Sequence, residues 1–128
     1  MKKVLVVLLA VVLVVAFAST AYAAVPMPMY TYISDADADL DIISGTAYCD
    51  VEMVSSGTSS RVSAYLQRYS GGSWSTVKHW SRNYADGDFY WSASYSVSSG
   101  YNYRLKAYCY AYYGNNTESA TVYAYDYY

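Results

Sequence analysis

From Ile33 to Tyr127 apolar and polar residues alternate almost without a break, and nowhere after Ala24 do apolar residues recur at helical spacing. Asp35 to Ile42 sets the pattern: four aspartates share one parity, and Ala36, Ala38, Leu40 and Ile42 share the other. After Ser44-Gly45, a second run places Ala47, Cys49, Val51 and Met53 inward. Arg61 to Tyr69 turns Val62, Ala64 and Leu66 in, with Ser63, Tyr65, Gln67 and Tyr69 out. Gly71-Gly72 marks a hairpin into Trp74 to Ser81. There the parity is ambiguous, with Trp74 and Trp80 on one face and Val77 on the other. Phe89 to Val97 turns Phe89, Trp91, Ala93, Tyr95 and Val97 to one side, and after Gly100 Tyr103, Leu105, Ala107 and Cys109 face in. A hairpin at Tyr113 to Asn116 leads to the last strand, Glu118 to about Tyr127. Alternation so regularly broken by turns predicts an all-β fold, a two-sheet sandwich of about seven antiparallel strands.

The chain begins differently. Lys2 and Lys3 precede an unbroken apolar run from Val4 to Phe17, closed by Ala21-Tyr22-Ala23. Charged start, apolar middle and small-residue cleavage site are the parts of a secretory signal peptide. As a helix the run would span only about 21 Å, short of the roughly 30 Å hydrocarbon core that an anchor crosses. The expected organisation is a signal peptide over 1–23, an extended leader over 24–32 and one sandwich domain over 33–128. No second apolar run follows, so the expected mature protein is secreted or surface-associated, without a membrane span.

Charge narrows the partners. Losing Lys2 and Lys3 takes the net charge from −2 to −4. Nucleic-acid binders carry the opposite footprint, so none is expected. The 2 cysteines, Cys49 and Cys109, both fall on inward positions. In an exported chain an even count reads as a disulfide, which would tie the second strand to the sixth. Closing so long a loop would contribute roughly 4 kcal/mol on chain-entropy grounds. The competing readings are a free pair or a metal site, and two thiols with the single His79 make a poor zinc set.

No residue set assembles an enzyme or a cofactor site. His79 is the only histidine, and no serine sits in a nucleophile elbow. Asp86 and Asp88 flank Gly87, where turn chemistry explains them better than a glycosidase pair does. Asp35, Asp37, Asp39 and Asp41 raise weak calcium binding, but Leu40 stands where a calcium loop needs glycine. A solvated edge strand that resists edge-to-edge pairing is the favoured reading. Asn115-Asn116-Thr117 matches a glycosylation sequon and reads here as a hairpin turn.

Tyrosine is the compositional outlier, with 19 residues against 2 phenylalanines. If the third, sixth and seventh strands share a sheet, its outer face collects Tyr65, Tyr69, Tyr108, Tyr110, Tyr123 and Tyr125, with Gln67, Arg104 and Lys106 among them. Strands about 4.8 Å apart would make these a flat aromatic platform, and exposed aromatic surface marks binding or assembly faces. The alternative is that tyrosine is strand filler in a biased chain.

Cys49, Cys109 and the run Tyr103-Arg104-Leu105-Lys106-Ala107 after Gly100 resemble an immunoglobulin-like or fibronectin-type sandwich over roughly Ile33 to Tyr127. The resemblance implies that Tyr103 forms a tyrosine corner with upstream backbone. Tyr103 lies six residues before Cys109, not two, and no tryptophan follows Cys49 on the third strand. Gly72-Ser73-Trp74 and the Tyr-Arg-Leu-Lys strand are also similar to small secreted proteins of Gram-positive bacteria. The functional expectation is a non-catalytic binding or adhesion module, for glycan or cell-wall polymer. The alternative is a structural surface or matrix protein that self-associates through that tyrosine face.

Overall fold

The computed structural model describes residues 30–128. The expected signal peptide and residues 24–29 of the leader lie outside them. The described chain is all-β. β1 (Ile33–Ile43), β2 (Thr46–Ser55), β3 (Ser59–Ser70), β4 (Ser73–Tyr84), β5 (Phe89–Ser96), β6 (Asn102–Tyr113) and β7 (Asn116–Tyr127) are joined antiparallel. They form two sheets, β1-β2-β5 and β4-β3-β6-β7, so β4 continues the sheet of β3. Among the described residues no helix is long and apolar enough to cross a membrane.

The alternation expected from the sequence becomes the core. Ala47, Cys49, Val51 and Met53 from β2 meet Val62, Ala64 and Leu66 from β3 and Leu105, Ala107 and Cys109 from β6, all buried. The Gly71-Gly72 turn has both residues at positive φ (62° and 84°), the two-residue hairpin geometry whose twist matches its strands. Gly87 serves a different purpose: a Cβ there would lie 2.2 Å from the Gly57 carbonyl oxygen, so it lets the β4–β5 turn press on the β2–β3 loop. Asp86 and Asp88 serve the same turn: Asp88 accepts the Ser55 amide at 2.8 Å, and Asp86 accepts the Asp88 amide at 3.2 Å.

Tyr103 makes the expected corner. It is buried, and its hydroxyl donates to the Ser98 carbonyl at 2.6 Å, holding the β5–β6 connection against the root of β6.

Two expectations are corrected. The Cys49–Cys109 bridge does not form: both cysteines are buried free thiols. Cys49 lies between Leu40 and Ala93 in one sheet, and Cys109 between Val62 and Ala120 in the other. Inward parity fixes where a side chain points, not its height along the strand. A bridge also needs the two Cα atoms within roughly 4.4–6.8 Å of each other, which strand parity does not specify. Burial pushes both thiols up to about 12, with Asp50 adding to the effect at Cys49, so each stays neutral. The second correction concerns β4. Leu66 pairs with Lys78 while Gln67 pairs with Thr76, which leaves Val77 as a bulged residue. The bulge separates Trp74 from Trp80: Val77 and Trp80 pack against the core, and Trp74 lies on the outer face beside Tyr69.

Candidate binding face

The outer face of β4-β3-β6-β7 is built by register. One rung across it reads His79, Tyr65, Lys106, Tyr123, and the next reads Thr76, Gln67, Arg104, Tyr125. A third pairs Trp74 with Tyr69 at the β3–β4 hairpin end. Tyr65, Tyr69, Tyr108, Tyr110, Tyr123 and Tyr125 therefore share one face, as the parity of their strands implies.

On this face cations and rings interleave. The Arg104 guanidinium lies 4.5 Å from the Trp74 ring centre and 5.5 Å from that of Tyr123, and its Nε donates to Gln67 Oε1 at 2.7 Å. Lys106 Nζ lies 5.2 Å from Tyr108 and 5.9 Å from Tyr123. A hydrogen bond with Tyr108 raises its pKa, which keeps the charge in place. Tyr65 stacks on His79 at 4.2 Å and meets the edge of Tyr108 at 5.9 Å. Contacts of this kind contribute about 0.5–1 kcal/mol each at exposed sites, so their main effect is to order the ridge. Tyr110 stands apart, stacked on Tyr112 at 6.5 Å toward the far end of β6.

At the hairpin end the ridge opens into a shallow groove of about 440 Å³, lined by Tyr69, Trp74, Asn102, Tyr103, Tyr125, Asp126 and Tyr127. Tyr125 and Tyr127 are 61% and 62% exposed, so their rings are available to a ligand. Trp74 meets Tyr69 at 5.2 Å and Tyr125 at 6.1 Å. Alternation alone missed Trp74, Asn102 and Tyr127. The Gly71-Gly72 turn next to Trp74 was the signal that could have placed Trp74 opposite Tyr69.

The opposite face is acidic. Asp35, Asp37, Asp39 and Asp41 are exposed along β1, the edge of its sheet. Asp39 stands directly across from Asp50, and Asp37 across from Glu52. Tyr90 closes the cluster by donating to Asp50 Oδ1 at 3.0 Å, and that bond raises the tyrosine's pKa. Among the described residues no group of three or more potential ligands is placed to hold a metal ion, and the aspartates line the exposed edge of the sheet.

The Ser63 hydroxyl lies 2.9 Å from His79 Nε2, a pair the sequence did not single out. A nucleophilic triad needs a third group to orient the imidazole. None of the residues in register on this outer face is a carboxylate, and the histidine ring is held by its stack on Tyr65. No protein family, curated protein or solved structure matches the chain.

Proposed function

We propose that this protein is an exported, non-catalytic binding or adhesion module that takes a glycan or cell-surface polymer along its aromatic face. The observation that carries the reading is the groove in which Trp74 joins Tyr69, Tyr125 and Tyr127 beside Asn102. Sugar rings present flat C–H faces that pack on aromatic rings, and their hydroxyls need nearby polar partners. Asn102 supplies one such group at the groove, and the Arg104–Gln67 pair supplies others one rung away. A mostly apolar concavity with few polar groups is the usual form of a small-ligand site. The Tyr103 corner and the position of β4 beside β3 support an immunoglobulin-like or fibronectin-type origin for the scaffold. Export follows from residues 1–23 as a signal peptide, which would place the face outside the cell.

The test is a screen of the mature chain against neutral glycans and peptidoglycan, with Trp74→Ala/Tyr125→Ser beside wild type. Retention of wild type with at least about tenfold loss in the variant is the expected result. Equal behaviour of the two proteins would reject the groove.

A further inference from the structure

We propose that copies of this chain stack head to tail, the outer face of β1-β2-β5 of one molecule seated on the outer face of β4-β3-β6-β7 of the next. The two faces are charge opposites. In the register of the four-stranded sheet the outer positions include Arg61, Arg104 and Lys106 and no carboxylate. In that of the three-stranded sheet they include the β1 aspartates with Asp50 and Glu52, and no lysine or arginine.

Two features say that the acidic face is not arranged for the isolated domain. Asp39 faces Asp50 and Asp37 faces Glu52 on successive rungs of the same face, and like charges directly opposite destabilise a sheet. Such local conflicts collect where function requires them. A cationic face laid over these rungs removes the repulsion. The tyrosines suit the same contact, because a phenol donates to a carboxylate, as Tyr90 does to Asp50 within the molecule.

Symmetry decides the mode. Pairing two aromatic faces about a two-fold axis would bring Arg104 and Lys106 against a second cationic ridge. Pairing unlike faces avoids this and leaves a free face at each end, so growth is open-ended. The three-stranded face is about 14 Å wide and 35 Å long, roughly 500 Å² per partner, which belongs to the weak, transient class of interfaces. A stacked neighbour would cover the face on which the glycan groove lies, so the two occupants compete, and sedimentation without glycan reads stacking alone.

The experiment is sedimentation of the mature chain over a concentration series at about 0.01 M and about 1 M salt, where charges are screened over roughly 30 Å and 3 Å. The expected result is growth with concentration at low salt and an association constant lower by about tenfold or more at high salt. Two variants fix the polarity: Asp37→Asn/Asp39→Asn/Asp50→Asn removes the acidic face, and Arg104→Gln/Lys106→Gln removes the cationic one. Each alone is expected to stay monomeric, whereas an equimolar mixture forms a dimer that grows no further. A monomeric wild type at low salt overturns the proposal, as does association indifferent to salt. Variants that each assemble as well as wild type would also sink it, since that result means like faces pair through tyrosine alone. The salt series needs no variant and stands even if one of them folds poorly.

Discussion

The two long sides of the sandwich are closed by different chemistry. Along the β1–β7 side, Glu118 accepts the amides of Thr31, Tyr32 and Ile33 at 2.9–3.2 Å, and Asp126 accepts that of Ile42 at 2.7 Å. These carboxylates sit toward the two ends of β7 and cap amides at the two ends of β1, including those of the two residues just before it. Along the β4–β5 side the closure is aromatic: Trp80 packs on Trp91 at 5.4 Å, and Tyr84 stacks on Phe89 at 5.1 Å. Both sides join one sheet to the other, yet one answers to protons and the other to the removal of apolar surface.

The largest effect is expected on the aromatic side. Trp91 is 5% exposed, and Trp91→Ala should lose about 3–5 kcal/mol in urea unfolding, by about the same amount at every pH. A loss under about 1 kcal/mol would mean that Trp80 and its neighbours close the side without it.

Glu118 gives the sharper contrast. Burial pushes its carboxyl up, but the amides of Ile33, Thr31 and Tyr32 outweigh it and hold the pKa below the ordinary value of 4.5. A group depressed in the folded state adds stability above its unfolded pKa and loses it as pH falls through the folded one. Thermal melts should therefore drop on acidification below about pH 4.5. Glu118→Gln should lower stability at neutral pH and flatten that acid slope, leaving the urea m-value unchanged. An unaltered slope in the variant would assign acid sensitivity to other carboxylates.

The smallest expected effect is kinetic. Cys49 and Cys109 should resist alkylation in the native protein without reductant, and both should react once denaturant is added. Trp91 pairs across from Val51 on the strand that carries Cys49. Trp91→Ala should therefore speed labelling at Cys49 more than at Cys109. Equal acceleration would mean that the sandwich opens as a whole, not from one side.

Most of the fold could be read from alternation because β2, β3 and β6 each bury one face, and a period of two is unambiguous when one face is dry. The tyrosine face came with it: placing Leu105, Ala107 and Cys109 inward leaves Arg104, Lys106, Tyr108 and Tyr110 nowhere else to go. β4 was not legible, since the bulge at Val77 breaks the period inside the strand and moves Trp74 to the face opposite Trp80. The bridge failed for another reason. Parity is a one-dimensional quantity, and bonding two sulfurs needs a distance in three. Glu118 and Asp126 also escaped notice, because an inward-pointing carboxylate on a strand looks like an interruption until the amides it serves are known.

The unbridged thiols determine how this domain relates to its surroundings. Its native contacts, from the Tyr103 corner to the aromatic seam, are reached without any electron leaving the protein. A fold without a disulfide needs no oxidant to form, and glutathione has no bond to cut. The described fold therefore does not depend on an oxidising compartment.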